Sequence, residues 1–176
     1  MKPRKDRNLI LIGYMGCGKS TIGMKSARAF EYRFTDTDAL IEKKEGCTVS
    51  ELFADKGEEY FRTQETETVK SLLCEPKGMI IATGGGLVMR EENRDLLKKL
   101  GTVVYLKCKE EMLIQRLTGD RKRPLLTGEN PEEKIRSMLK LRGPVYEAAA
   151  DVILETDGKS FYEIICFLEN ILKEKR

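Results

Sequence analysis

Residues 13–20 read GYMGCGKS and directly follow a run of four large apolar residues, Leu9–Ile12. An apolar strand, a loop of the form G-x-x-x-x-G-K-[ST] and a helix, in this order, are typical of phosphate-binding loops. Glycine lets backbone N–H groups surround phosphate oxygens, and the positive end of the following helix faces the anion. Lys19 can reach the β- and γ-phosphates, and the Ser20 hydroxyl can be a ligand of Mg²⁺. The pattern therefore predicts a nucleoside triphosphate site rather than a glycine-rich turn that happens to contain a lysine.

Length and composition indicate one globular domain. The chain has 176 residues, of which 40% are hydrophobic and 35% charged, and its net charge is +3. This length suits a single core, and so balanced a charge gives no support to a nucleic-acid-binding surface. No segment approaches the roughly 18 apolar residues of a membrane span, and the charged start of the chain does not resemble a secretory signal. We therefore expect a cytoplasmic protein with no nucleic-acid partner and no membrane segment.

The cysteines and the absence of histidine argue against several kinds of chemistry. Five cysteines are scattered along the chain without a C-x-x-C pair, and there is no histidine. Structural zinc and a disulfide framework are not expected, and free thiols fit a reducing compartment. Catalysis by serine–histidine or cysteine–histidine pairs is excluded. Cys17 lies inside the phosphate loop, where we interpret it as a tolerated small residue rather than a redox switch.

Short apolar runs alternate with longer amphipathic segments along the whole chain. Strands are predicted at 8–12, 32–35, 79–82, 102–106 and 152–155, and helices at 19–29, 39–44, 49–54, 58–73, 91–100, 110–117, 131–146 and 160–173. Strands that alternate with helices form a parallel sheet covered on both faces. The predicted fold is a three-layer α/β/α domain with a five-stranded parallel sheet, and residues 1–176 form this single domain.

Two segments interrupt the alternation. Residues 38–73 are predicted to be a purely helical insertion between the second and third strands. Residues 118–128 form a basic, glycine-bounded loop, which we interpret as a mobile lid that closes over the triphosphate and excludes water. Within this loop Arg123 is favoured for phosphate contact, whereas Arg121 and Lys122 are expected to be solvated.

Two aspartates follow the second predicted strand, at the edge of the sheet where open α/β folds bind ligands. In an extended segment residues two apart point the same way, so Asp36 and Asp38 can both face the site. One would help to hold Mg²⁺ or its waters, and the other would accept a hydrogen bond from a hydroxyl group of the phosphoryl acceptor. The alternative is that Asp38 only caps the helix that begins at Ala39.

Three further features have both a functional and a purely structural interpretation. Arg62 can bind a ligand or form an exposed i,i+4 pair with Glu58. Three consecutive glycines at 84–86 indicate either a close approach of the backbone to a ligand or a flexible turn. Arg142 can bind a carboxylate through two parallel hydrogen bonds, or it can favour the negative end of a helix that breaks before Pro144.

Taken together, these elements resemble the shikimate kinase family of small phosphate-loop kinases. The resemblance covers nearly the whole chain and rests on six motifs: GYMGCGKST at 13–21, FTDTDALIE at 34–42, GEEYFRTQE at 57–65, ATGGG at 82–86, RPLL at 123–126 and RGPVY at 142–146. The phosphate loop alone is shared by many families, whereas the ordered set with these spacings is highly specific.

The resemblance implies an activity, cofactors and site residues. The implied reaction transfers the γ-phosphoryl group of ATP to the 3-hydroxyl of shikimate, with Mg²⁺, in a monomeric enzyme of aromatic amino-acid biosynthesis. The implied catalytic residues are Asp38, Lys19 and Arg123. The implied shikimate contacts are Asp38, Arg62, Gly84, Gly85, Gly86 and Arg142, and the metal residues are Ser20 and Asp36. The implied ATP contacts are Gly16, Cys17, Gly18, Lys19, Ser20, Thr21, Arg116, Arg123 and Lys159.

Three alternatives stay open at this stage. A gluconate kinase of the same fold would also phosphorylate a polyol carboxylate, although Arg62, Arg142 and the three glycines favour shikimate. A nucleoside monophosphate kinase would need a second nucleotide pocket, of which the sequence gives no sign. A nucleotide-binding regulator would bind ATP without turning it over, and it would not need Asp38, Arg62 and Arg142 together.

Overall fold

A computed structural model describes residues 6–117 and 130–174. Five strands of this part form one parallel sheet: β1 (Leu9–Ile12), β2 (Arg33–Asp36), β3 (Met79–Ala82), β4 (Thr102–Lys107) and β5 (Val152–Glu155). Their order in the sheet is β2-β3-β1-β4-β5. All five predicted strands are confirmed, and their ends lie within about one residue of the predicted ones.

Helices cover both faces of the sheet. Those described are α1 (Lys19–Phe30), α2 (Thr37–Glu45), α3 (Val49–Leu73), α4 (Glu91–Leu100), α5 (Glu110–Leu117), α6 (Pro131–Ala149), α7 (Phe161–Lys173) and a 3₁₀ helix at Leu87–Met89. The β1–β2 and β3–β4 crossovers run in opposite directions across the sheet, so right-handed connections place α1 and α4 on opposite faces. Helix α7 packs against α1, and α3 packs against α4. The predicted three-layer α/β/α fold is confirmed.

The core is centred on the two strands that carry the site. Strands β1 and β3 are covered on both faces, and every residue in them is buried. This is why both read as continuous apolar runs rather than alternating ones. A second, smaller apolar cluster around Ile41, Leu52 and Phe61 joins α2 to α3. Nowhere in residues 6–117 and 130–174 is there a helix long and apolar enough to cross a membrane.

Helix α3 differs from the sequence prediction in its continuity. The predicted helices 49–54 and 58–73 form one element that is kinked at Gly57, where φ is 80° and ψ is 172°. Glycine adopts this left-handed φ without the steric cost of a Cβ, which explains why the chain can bend there without ending the helix.

Helix α6 continues through Pro144 to Ala149, three residues beyond its predicted end, so the alternative of a break before Pro144 is wrong. A proline removes one backbone donor, and the carbonyl that loses its partner belongs to the exposed Lys140, where water can replace it. The turn after the proline is stabilised by the burial of Tyr146 and Ala149.

The carboxyl ends of β1, β2 and β3 meet at one edge of the sheet. Asp36 of β2 and Leu11 of β1 are both in register with Ala82 of β3. The phosphate loop, the two aspartates and the glycine segment 84–86 therefore leave the sheet side by side. The glycine segment comes between the other two because β3 lies between β1 and β2.

Candidate active site

The phosphate loop leaves β1 in a conformation that depends on glycine. Gly16 and Gly18 have φ angles of 80° and 97°, which residues with a Cβ rarely adopt. Gly18 immediately precedes α1, where the described chain provides neither a side-chain cap nor an acidic residue in the first turn. The first N–H groups of α1 are therefore free of side-chain competition for an anion. Ser20 and Thr21 are exposed in that turn.

Lys19 is held against the loop by backbone oxygens. Its Nζ donates to the carbonyls of Gly13 at 2.8 Å and Tyr14 at 2.9 Å. These neutral acceptors orient the ammonium group but leave its charge uncompensated, as binding of a phosphate requires. Cys17 is buried, its Sγ lies 3.8 Å from Lys19 Nζ, and its N–H donates to Tyr14. The Cys17 thiol thus faces the core rather than the surface of the loop.

Ser20 and Asp36 form a pair of oxygen groups beside the phosphate loop. The Ser20 hydroxyl donates to Asp36 Oδ2 at 2.7 Å. In the described ranges no three Cys, Asp or Glu side chains are grouped so as to hold a metal by themselves. Mg²⁺ does not need such a group, because it takes one or two protein oxygens and keeps waters and phosphates as its other ligands. The residues present therefore fit this ion.

Asp36 also has the capping role that the sequence alternative gave to Asp38. Its Oδ1 accepts from the N–H groups of Asp38 at 3.0 Å and Ala39 at 3.4 Å, and it is the N-cap of α2. The helix therefore begins at Thr37, two residues before the predicted start. Asp38 therefore does not cap the helix, so that alternative is wrong. It lies in the first turn of α2 and not in the extended segment from which its direction was predicted.

A cavity of about 750 Å³ lies between this sheet edge and helices α2, α3 and α6. Val49, Phe53 and Phe61 give it an apolar wall, and Met15 of the phosphate loop also lines it. The cavity brings together all of the residues that were expected to bind the acceptor: Asp38, Arg62, Gly84, Gly85, Gly86 and Arg142.

Asp38 lines this cavity and has one carboxylate oxygen without a partner. Its Oδ1 is buried and accepts no hydrogen bond from the described residues. Burial, and then the Asp36 carboxylate, raise the pKa of Asp38 to about 6, although Lys19 and Arg62 act in the opposite direction. A buried carboxylate oxygen without a donor is energetically costly.

Glu65 belongs to this site although the sequence analysis did not single it out. It is fully buried in α3, its Oε2 accepts from Arg62 at 2.8 Å, and its Oε1 has no donor in the described chain. Burial raises the pKa of Glu65 to about 7, against the effect of the Arg62 guanidinium. A Cβ built on Gly84 would lie 2.8 Å from Glu65 Oε1 and 2.5 Å from Asp38 Oδ1. The two unpartnered oxygens therefore face the same small space.

Arg62 links two acids and packs on the glycine segment. Its Nη2 and Nε donate to Glu58 Oε1 at 2.9 Å and 3.2 Å, so the expected i,i+4 pair is present. Its side chain is nevertheless only 14% exposed, because Nη1 pairs with the buried Glu65. The guanidinium occupies the space that a Cβ on Gly86 would need. Arg62 is thus part of the cavity wall rather than a solvated surface residue.

The three glycines are required for space rather than for an unusual φ angle. None of them has a positive φ, but a Cβ on Gly84 or Gly86 would overlap the ionic side chains just described. The Gly84 N–H donates to Thr37 Oγ1 at 3.0 Å. The segment is therefore held by a hydrogen bond and packs against charged side chains, unlike the flexible turn of the structural alternative.

Arg142 reaches the cavity from α6. Because α6 continues to Ala149, Arg142 lies in the interior of the helix and not in its last turn, so the helix-end alternative is wrong. In the part of the chain that the structure describes, no carboxylate forms an ion pair with Arg142, whereas Arg62 has two such partners. Arg142 can therefore bind a ligand carboxylate without breaking an existing pair.

The expected nucleotide contacts outside the loop lie in three different places. Arg116, in the last turn of α5, donates to the Gly16 carbonyl at 3.1 Å and so lies beside the phosphate loop. Lys159 is exposed after the carboxyl end of β5. Arg123 and the expected lid at 118–128 lie outside the described residues.

Replacement of Glu65 by glutamine is expected to change how stability depends on pH. The pKa of Glu65 is about 7 in the folded protein, above its ordinary value of 4.5. The stability that the raised pKa of Glu65 contributes is fully present below pH 4.5, and it is lost as the pH rises through 7. Glutamine does not titrate. The free energy of unfolding of Glu65→Gln relative to the wild type should therefore rise from pH 5 to pH 8, by at most about 3 kcal/mol.

Urea unfolding of both proteins across this pH range measures the difference. Glu67→Gln removes an exposed carboxylate from the same helix and is the matched control. A difference between Glu65→Gln and the wild type that stays constant from pH 5 to pH 8 would contradict the assignment of a raised pKa to Glu65.

Comparisons with known proteins relate this site to one family. The family model described as Shikimate kinase matches residues 15–172. A shikimate kinase of Geobacter sulfurreducens is 41% identical over 172 residues, which cover 98% of this chain and 94% of that protein.

Two solved structures separate close from distant similarity. Shikimate kinase from Acinetobacter baumannii in complex with shikimate has a TM-score of 0.88 and 40% identity, covering 96% of this chain and 94% of that one. A gluconokinase from Sinorhizobium meliloti has a TM-score of 0.59 and 18% identity, with coverages of 97% and 93%. The second similarity concerns the fold alone.

Proposed function

The chain belongs to the shikimate kinase family, and we propose that the phosphate loop and the adjoining cavity perform the family reaction with the residues described above. The protein transfers the γ-phosphoryl group of ATP to the 3-hydroxyl of shikimate, giving shikimate 3-phosphate and ADP. ATP is the donor and Mg²⁺ the metal cofactor. The observation that best supports the residue assignment is that Asp38 lines one cavity together with two arginines and a residue of the phosphate loop.

Asp38 is proposed to orient and deprotonate the acceptor hydroxyl. Its carboxylate accepts the hydrogen bond of the 3-hydroxyl and takes up the proton as the new oxygen–phosphorus bond forms and the bond between the γ-phosphorus and ADP breaks. A pKa of about 6 leaves most of this carboxylate ionised at neutral pH while making it a stronger base than an exposed aspartate. The N–H of Asp38 is bound to Asp36, which fixes the start of α2 and so the direction of the side chain.

Arg142 and Arg62 are proposed to bind the shikimate carboxylate, with Arg142 contributing more of the binding free energy. Arg142 has no carboxylate partner among the described residues and is the main anchor, whereas Arg62 is already partly neutralised by Glu58 and Glu65. The glycine segment 84–86 completes the pocket by letting the ring approach the backbone. Because rates of phosphoryl transfer depend on alignment, these contacts serve catalysis by placing the 3-hydroxyl.

On the donor side, Lys19 is proposed to offset charge on the transferring phosphoryl group. Ser20 and Asp36 would hold Mg²⁺, which when bound neutralises charge on the phosphates. The N–H groups of residues 16–21 would bind phosphate oxygens. Two further contacts follow from the family resemblance: Arg116 against the adenine with Lys159 nearby, and Arg123 across the phosphates.

We also propose that residues 1–176 act as one kinase domain, with 38–73 as the shikimate-binding insertion and 118–128 as the lid. The five cysteines are all free, which supports a reducing compartment and therefore the cytoplasm. We propose a monomer, as the family resemblance implies.

The test is ADP release by the purified protein with ATP and Mg²⁺, comparing shikimate, gluconate and no acceptor. Release that depends on shikimate is expected. Release that depends on gluconate instead would keep the kinase fold and overturn the acceptor assignment. Binding of ATP without release in any of the three reactions would favour a nucleotide-binding regulator.

A further inference from the structure

Tyr146 connects the two halves of the site although neither sequence reasoning nor the proposed mechanism gives it a role. Its side chain is fully buried, and its ring stacks on that of Tyr105 with centroids 5.1 Å apart and an interplanar angle of 26°. It lies in the last turn of α6, one turn after Arg142. Only the continuation of α6 through Pro144 brings it to this place.

The Tyr146 hydroxyl lies where three parts of the site meet. It donates to the Gly85 carbonyl at 2.5 Å, and the nearby Arg142 acts electrostatically on the same hydroxyl. A Cβ built on Gly85 would lie 3.5 Å from Met15 N, 3.7 Å from the Gly13 carbonyl and 3.8 Å from the Tyr146 hydroxyl. At Gly85 the glycine segment is thus in contact with both the phosphate loop and this hydroxyl.

The Tyr146 hydroxyl stays protonated and can therefore always donate a hydrogen bond. Burial raises the pKa of Tyr146, and the nearby Arg142 lowers it only in part. The hydroxyl therefore keeps its proton throughout the neutral range and can donate to Gly85, while the partial negative charge of its oxygen attracts the nearby Arg142. One oxygen in this way connects the carboxylate-binding arginine with the backbone of the acceptor pocket.

We propose that Tyr146 is a positioning residue that fixes the acceptor pocket relative to the phosphate loop. This inference rests on the proposed function of the site. Tyr146 acts through the Gly85 backbone and Arg142, and it touches neither reactant. Without its hydroxyl the glycine segment and Arg142 lose their common anchor, so bound shikimate is less well aligned with the phosphoryl group held by the phosphate loop.

Tyr146→Phe tests the proposal because it removes one oxygen and keeps the stacked ring. We expect kcat/KM for shikimate to fall about tenfold, while KM for ATP and the affinity for ATP change less than about twofold. Tyr105→Phe removes the hydroxyl of the other ring in the stack, outside the acceptor pocket, and is the matched control. Its kinetic constants should remain those of the wild type. Thermal melting of both variants reports any loss of stability separately.

A merely structural role predicts a different result. The melting temperature of Tyr146→Phe would then fall while kcat/KM for shikimate, measured well below that temperature, stayed within twofold of the wild type. That outcome overturns the proposal. Equal losses of affinity for shikimate and ATP would overturn it as well, because they would indicate a general disturbance of the site.

A double-mutant cycle provides a second measurement that does not depend on stability. If Tyr146 acts through Arg142, the loss of kcat/KM in Arg142→Ala combined with Tyr146→Phe is smaller than the product of the two single losses. Losses that simply multiply overturn the proposal. Failure of the proposed function is distinguishable, because it would appear in the wild type as no shikimate-dependent ADP release.

Discussion

Asp38→Asn is expected to lower kcat for shikimate phosphorylation about 10²- to 10⁴-fold, the usual contribution of a positioned general base. Asparagine has nearly the same shape as aspartate, so the cavity and the start of α2 should persist. What is lost is the carboxylate that accepts the hydroxyl proton, since an amide is not a base at neutral pH. Steady-state kinetics with saturating ATP and shikimate measure the change.

Nucleotide affinity separates this loss from a general disturbance. Binding of ATP to Asp38→Asn should stay within about twofold of the wild type, because the Asp38 carboxylate lines the acceptor cavity and is not part of the phosphate loop. Asp95→Asn makes the same chemical change at an exposed position of α4 and should leave kcat unaltered. Near-normal turnover in Asp38→Asn would remove Asp38 from the catalytic role.

Arg142→Ala is expected to act mainly on shikimate affinity. A charged hydrogen bond contributes about 1.5–3 kcal/mol, so loss of the main carboxylate anchor should raise KM for shikimate roughly 10- to 100-fold. The effect should exceed that of Arg62→Ala measured on binding alone, because Arg62 already shares its charge with two acids. Initial-rate kinetics with shikimate as the varied substrate give KM directly.

Arg136→Ala is the matched control for Arg142→Ala. It removes an arginine from the same helix, where the side chain is 57% exposed and pairs with Glu110 at 3.0 Å. Such exposed pairs contribute little to stability, and KM for shikimate should not change. An unchanged KM for shikimate in Arg142→Ala itself would refute the assignment of the carboxylate anchor.

The nucleotide half of the site was predictable because its determinants are local. A strand, a glycine loop and a helix start are adjacent in the chain, so the spacing of Gly18, Lys19 and Ser20 already specifies which groups can meet a phosphate. The same holds for the five strands, whose apolar runs reflect burial on both faces of a parallel sheet.

The acceptor half was predictable only as a set of residues. Arg62 and Arg142 were identified through the family resemblance, and the structure brings both to one cavity. The sequence did not predict that Arg62 is paired with two acids while Arg142 has no acidic partner in the described chain. The reason is that the sequence does not show the burial of Glu65. One signal was available: Phe61, Glu65 and Val69 follow one another at a spacing of four, which places an acid on the buried face of α3.

Two errors about helix ends share one physical origin. The start of α2 was predicted two residues too late, which left out Asp38, and the end of α6 was predicted three residues too early, at Tyr146 instead of Ala149. Helix ends depend on small differences between capping, proline restriction and burial, and burial is a property of the folded molecule. The direction of a side chain in the first or last turn therefore could not be inferred from spacing alone.

The sequence by itself determined the fold class and the phosphate loop, since these follow from patterns between neighbours in the chain, and the family resemblance identified Asp38, Arg62 and Arg142. The tertiary structure alone decided that Asp36 caps α2 and that Asp38 lines the cavity. It also decided that Glu65 pairs with Arg62, whereas Arg142 has no acidic partner in the described chain. The contact of the Tyr146 hydroxyl with Gly85 likewise belongs to the tertiary structure. Each of these depends on contact between residues that are distant in sequence or on burial. The energies of such contacts exist only once the sheet and its helices have packed.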